Sequence, residues 1–212
     1  MTEAEILEFQ KAKHNTDWWG KPLSLDGKIG PKTQWAMDIT TLPEWRQSII
    51  RLSLSECAKG IIETPPGSNR SKDIDKYIAW CGLDPHSSAG ESGYRWCAAA
   101  ASYALSGGSS KPIREAGVKN LAESLIDTTD NPLPGDIAYI IRSNGTGHVG
   151  ILLGINATHC MINEGNSNNR MEVVVRLRSG LKFASIGIAQ RVAGVGEGIP
   201  LTPTVLDISH TI

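Results

Sequence analysis

The 212-residue chain carries 21 Lys+Arg against 22 Asp+Glu, a formal net charge of −1, and 40% hydrophobic residues. Balanced charge without a Lys/Arg block excludes a nucleic-acid or anionic-membrane surface as the main partner. The ordinary apolar fraction excludes wholesale disorder, and no apolar run approaches the roughly 20 residues of a membrane span.

In length the chain suits one domain of roughly 100–150 residues plus a small module. Its opening residues are acidic and amphipathic rather than basic and then apolar. That predicts synthesis in the cytoplasm without a signal peptide. In that setting Cys57, Cys81, Cys97 and Cys160 are expected as free thiols. Ile6, Leu7, Phe9 and Gln10 suggest a short helix, followed by a turn-rich stretch from Asn15 to Gly20. Asp26-Gly27 is a turn signal, and Gly30-Pro31 opens a second helix. Asp26, Gly27, Gly30, Pro31, Thr33 and Ala36 together resemble, in a short form, the peptidoglycan-binding module of cell-wall hydrolases. The resemblance implies that residues 1–42 assist wall targeting and are not needed for bond cleavage.

Thr41-Leu42-Pro43-Glu44 reads as a break. Trp45, Ile49, Leu52 and Cys57 then keep helical spacing, and a further helix is expected from about Ser71 to Trp80. Cys97 opens the alanine-rich run Cys97-Ala98-Ala99-Ala100-Ala101, just after a turn-rich segment. A helix N-terminus carries unpaired N–H groups and partial positive charge, which favour thiolate and can hold an oxyanion. Cysteine also packs as a small buried residue, so placement alone leaves both readings open.

After Leu133-Pro134-Gly135-Asp136 the chain turns β-prone. Ile137–Ile141 and His148–Leu153, joined by Ser143-Asn144-Gly145-Thr146-Gly147, predict a hairpin. Cys160–Ile162 is a third strand leading into the polar loop Asn163–Asn169. Glu172–Leu177 and Phe183–Ala189 complete an antiparallel sheet. The expected fold class is α+β: a helical half carrying Cys97 packed on a sheet carrying His148 and Glu164. A thiolate needs an imidazole to hold it ionised and to protonate the leaving amine. The imidazole in turn needs a polar group on its other nitrogen. His159-Cys160 lacks the ligand spacing of a zinc site; His14 and His86 read as surface residues, and His210 lies in the tail.

Cys97 at a helix start, Pro134-Gly135-Asp136, Gly147-His148-Val149-Gly150-Ile151 and Glu164-Gly165-Asn166, in this order, resemble the CHAP and NlpC-type cysteine hydrolases. The Glu63-Thr64-Pro65-Pro66-Gly67-Ser68-Asn69-Arg70 stretch is similar to a segment that some phage-borne lysins and bacterial wall hydrolases carry ahead of the cysteine. The resemblance covers roughly residues 60–192. It implies a papain-like catalytic domain over 43–192 that cleaves amide bonds of bacterial peptidoglycan, either within the stem peptide or at the muramoyl–L-alanine link. By carry-over Cys97 is the nucleophile, His148 the base, and Glu164 or Asn166 the residue that orients it. Trp96 and Arg95 are candidate substrate contacts; a core tryptophan and a solvated arginine are the plain readings of the same residues. No cofactor or metal is expected. Asp84 and Glu91 lack the oxygen spacing of the calcium loop that some relatives carry. Residues 193–212, with Gly and Pro/Thr runs, read as a flexible tail. The implied role is a phage endolysin made in the cytoplasm and acting on the wall after release. The alternatives are an interbacterial effector with an immunity protein as partner, and a non-catalytic wall-binding or virion protein.

Overall fold

The computed structural model describes residues 1–87, 93–187 and 190–191. The 193–212 tail and Glu91 lie outside the described residues. Six helices pack against a six-stranded antiparallel sheet, an α+β fold. The helices are α1 (Glu3–Lys11), α2 (Pro31–Thr40), α3 (Glu44–Cys57), α4 (Lys72–Trp80), α5 (Cys97–Leu105) and α6 (Val118–Glu123). The strands are β1 (Ile126–Asp127), β2 (Ile137–Ile141), β3 (Gly147–Ile155), β4 (His159–Ser167), β5 (Arg170–Leu177) and β6 (Lys182–Ser185), in sheet order β1-β6-β2-β3-β4-β5. Among the described residues no helix is long and apolar enough to cross a membrane.

Local chemistry accounts for the helix starts. Thr2 and Glu5 form a reciprocal capping box on α1, and Pro31 occupies the first turn of α2, where its missing N–H costs nothing. The segment between them is braced from α1. The Gln10 carboxamide donates to Asp26 Oδ1 and the Lys28 carbonyl and accepts from the Gly27 N–H at 3.0 Å. Gly27 has φ +67°, and a Cβ there would meet the Glu3 side chain at 2.5 Å, so only glycine fits this turn.

Residues 1–42 are built into the common core. Trp18, Leu23, Trp35, Ala36 and Ile39 share one apolar cluster with Ile49 and Leu54 of α3, Ala98 and Ala101 of α5, and Ile151 and Leu153 of β3. The Trp35 indole donates to the Leu153 carbonyl at 3.0 Å. This segment therefore seals one end of the helix–sheet interface.

A buried ion pair joins the helices to the sheet. Arg46 of α3 donates to Asp136 Oδ1 at 2.5 Å and to the Pro134 carbonyl at 2.9 Å, and its other terminal nitrogen reaches Ser185 Oγ. Asp136 Oδ2 accepts from Thr128 Oγ1 and the Leu133 N–H. The Pro134-Gly135-Asp136 motif is thus an anchor for α3. At Gly135 (φ +91°) a Cβ would press on Arg46 at 3.2 Å.

Asp136→Ala strands a buried guanidinium and is expected to destabilise by about 3–5 kcal/mol, read as a lowered urea midpoint. Deletion of residues 1–42 removes five core side chains: Trp18, Leu23 and, from α2, Trp35, Ala36 and Ile39. The truncated chain should lack a cooperative thermal transition; a sharp transition with native near-UV circular dichroism would show instead that the segment is dispensable for folding.

Candidate active site

Helix α5 is made of small residues, so it lies directly on β3 and β4. A Cβ at Gly165 would come within 2.6 Å of the Trp96 ring and 3.0 Å of Ala100 Cβ. This close approach sets Cys97, the first residue of α5, beside the sheet. Trp96 occupies the N-cap position without a side-chain cap, so its side chain leaves the first-turn N–H groups unoccupied. Cys97 is 6% exposed.

His148 sits at the second position of β3, beside the β2–β3 turn. Its Nε2 lies 2.7 Å from Glu164 Oε2, and Cys97 lies near enough to favour the charged ring. Since Glu164 takes Nε2, Nδ1 is the nitrogen left for sulfur. Glu164 itself is 2% exposed. Beyond it lies Arg176 of β5, whose Nε bonds Oε1 and whose Nη2 reaches Oε2 at 2.5 Å. The result is a bonded chain His148–Glu164–Arg176 with Cys97 beside the imidazole.

The strand bounds differ from the expectation at one informative place. Asn163–Ser167 continues β4 rather than opening a loop, so Glu164 stands within a strand, paired with Gly150 on one side and Glu172 on the other. Asn163 is held by Ser53 of α3, to which its Nδ2 donates at 2.8 and 2.9 Å. Asn166 has φ 58° and donates to Asn69 Oδ1 at 2.8 Å. It is Glu164, not Asn166, that meets the imidazole.

The two candidate substrate contacts part company. Trp96 is fully buried: its indole stacks on Tyr77 and donates to Glu63 Oε1 at 3.0 Å. It has no surface to offer a substrate, so that expectation is corrected to a core residue. Arg95 is exposed. Of the calcium candidates, Asp84 accepts from the His86 N–H. No group of three His, Cys, Asp or Glu poised for a metal occurs among the described residues. Arg176 is the site residue that sequence reasoning missed. Its signal was an arginine in a valine-rich edge strand, which becomes meaningful only once β5 is paired to β4.

Charge in the site is organised around His148. Burial opposes the imidazolium, but the neighbouring Cys97 and Glu164 outweigh it and lift the pKa from 6.5 to about 9. Burial would raise the Glu164 pKa, yet Arg176 and His148 hold it below the ordinary carboxylate value. Burial pushes Cys57, Cys81 and Cys160 up to about 11 each. A separate groove of about 560 Å³ lies at the junction of Trp19 and Lys21 with Ile62 and Arg170 at the start of β5.

Because the folded pKa of His148 exceeds its unfolded value, the stabilisation it supplies is full below pH 6.5 and fades as pH rises through about 9. Nuclear magnetic resonance should find this imidazole titrating near 9 in the native protein. Either Cys97→Ala or Glu164→Gln should lower that pKa, since each removes a partner that favours the charged ring; an unchanged titration in both would refute the assigned contacts.

No protein-family model, curated protein or solved structure matches the chain. Its chemistry is therefore argued from the site itself.

Proposed function

We propose that the chain is a papain-like cysteine hydrolase of bacterial peptidoglycan, cleaving an amide bond of the stem peptide or the muramoyl–L-alanine link. The observation that carries the reading is the grouping of Cys97, His148 and Glu164 at the start of α5. It unites a thiol, an imidazole that favours the charged state and a buried carboxylate on the far nitrogen, the elements that amide cleavage by a thiolate requires.

In this mechanism the Cys97 thiolate attacks the scissile carbonyl carbon while the C=O π electrons move to oxygen. First-turn N–H groups of α5 stabilise that oxyanion. The tetrahedral centre collapses, the C–N bond breaks, and the His148 imidazolium gives its proton to the departing amine. A water then attacks the thioester, surrendering a proton to the now neutral His148. The C–S bond breaks, releasing the carboxylic product and restoring the thiolate–imidazolium pair. Glu164, held by Arg176, keeps the ring oriented and its charged form favoured throughout. The resemblance of Asp26–Ala36 to a wall-binding module supports the choice of substrate, as does the order of the Cys97, His148 and Glu164 motifs. Within the reading, a lysin role is preferred to that of an injected effector.

The test is digestion of purified sacculi followed by mass spectrometry of the products, which identifies the bond cut. Cys97→Ala should reduce turnover at least about a thousandfold with the melting temperature little changed. Glu164→Gln should cost more than Asn166→Ala. Full turnover by a folded Cys97→Ala protein would sink the nucleophile assignment, and a deeper loss in Asn166→Ala would move the orienting role to that residue.

A further inference from the structure

The mechanism leaves Glu63 without a part to play. Its side chain is 2% exposed, and among the described residues no lysine, arginine or histidine forms an ion pair with it. Two N–H donors from different segments take its oxygens instead. The Trp96 indole donates to Oε1 at 3.0 Å and the Asn69 backbone donates to Oε2 at 3.1 Å. A buried carboxylate is costly unless both oxygens are satisfied. A glutamine at this position would offer one acceptor and one donor, and so could not serve both N–H groups.

Both partners lead to the catalytic chain. Trp96 is the residue before Cys97 and the N-cap of its helix. Its ring is wedged between Tyr77 and Gly165, with no room for a Cβ at the glycine. Asn69, through Oδ1, accepts from Asn166 Nδ2, two residues beyond Glu164. The Glu63 N–H itself donates to the Asn169 carbonyl at 2.8 Å, in the β4–β5 turn. One side chain and its backbone thus hold the start of α5 against the end of β4, the two elements that carry Cys97 and Glu164.

We propose that Glu63 is the positioning residue of this site: it fixes the Cys97-bearing helix start relative to the Glu164-bearing strand, and thereby sets the placement of Cys97 beside His148. The inference rests on Cys97 being the nucleophile, and it does not depend on which substrate is cut.

The test is the pH dependence of Cys97 alkylation by iodoacetamide in the full chain, read by peptide mass spectrometry well below the unfolding transition. Cys57, Cys81 and Cys160, with pKa values near 11, serve as slow internal controls. In Glu63→Gln the Cys97 rate at pH 6.5 should fall at least about tenfold, and the rate profile should move to higher pH. On peptidoglycan, kcat should fall in similar proportion while KM stays within about twofold. Trp96→Phe keeps an aromatic ring but removes the indole N–H together with the five-membered ring, so it should shift the profile in the same direction. A wild-type alkylation profile in folded Glu63→Gln, whatever its melting temperature, would overturn the proposal by leaving Glu63 a merely structural residue. Should Glu63→Gln fail to fold, an unshifted profile in Trp96→Phe would overturn it equally. An ordinary thiol profile for wild-type Cys97 would overturn both this inference and the catalytic reading. The predicted shift without any wall cleavage would support the inference and refute only the choice of substrate.

Discussion

Everything at the site depends on how closely α5 can approach the sheet. A helix bearing ordinary side chains packs with its axis held off its neighbour by those side chains. Here Ala98, Ala101 and Ala104 face the core, and Gly165 receives the edge of Trp96 and Ala100. The gain is geometric more than energetic, because alanine buries little surface and adds little to stability by area alone. What the short contact supplies is reach. It lowers the helix start far enough for the two-atom cysteine side chain, Cβ and Sγ, to influence an imidazole on β3. A Cβ at Gly165 would press on the buried Trp96 ring and on Ala100 Cβ, neither of them a flexible side-chain end, which is the costly kind of overpacking.

Close packing also sets the electrostatics. Removing water from His148 penalises its charged form, and burial alone would leave it neutral and unfit to stabilise a thiolate. The carboxylate of Glu164 reverses that, but a buried carboxylate brings its own desolvation cost. Arg176 resolves the problem from the partly exposed edge of the sheet, its side chain 43% accessible, so one member of the chain keeps access to water. The alternation of thiol, imidazole, carboxylate and guanidinium places each charge beside its opposite. Arg46 and Asp136 apply the same logic away from the site, with backbone carbonyls and hydroxyls completing their bonds.

Much of this was legible in the sequence, for identifiable reasons. Cys97 at a helix start and His148 at the head of a strand follow from local signals: an alanine run after turn residues, and a β-prone run after a Gly/Asn loop. Neither signal involves distant residues. The Asn163–Ser167 stretch was misread because its composition is that of a loop. It forms strand because partners supplied by other elements satisfy its polar side chains: Ser53 for Asn163, and Arg176 with His148 for Glu164. Tertiary pairing overrode propensity. Trp96 illustrates a second limit. An aromatic beside a reactive cysteine reads equally as cleft wall or core, and only the buried Glu63 oxygen on its indole decides for core. The short elements α6 and β1 are below the length at which periodicity can be read. Arg176 needed the β4–β5 register before its meaning could appear.

The N-terminal segment bears on how a wall enzyme of this kind would meet its substrate. A tethered binding module raises local substrate concentration while leaving the active site free to sample many bonds. Residues 1–42 do not have that freedom, since Trp35 is bonded to Leu153 and packed among core residues of α3 and β3. Contacts made by this segment hold a fixed position relative to Cys97. Its junction with β5 forms the groove edged by the exposed Trp19 and Ile62, with Lys21 and Arg170 beside them. Under the proposed function, a polymer bound there would be presented to the site in one register. Binding energy gained at a distance would then be spent on orientation at the scissile bond, not on tethering alone. Under that reading, rigid attachment would trade reach across the wall for selection of the bond that is cut.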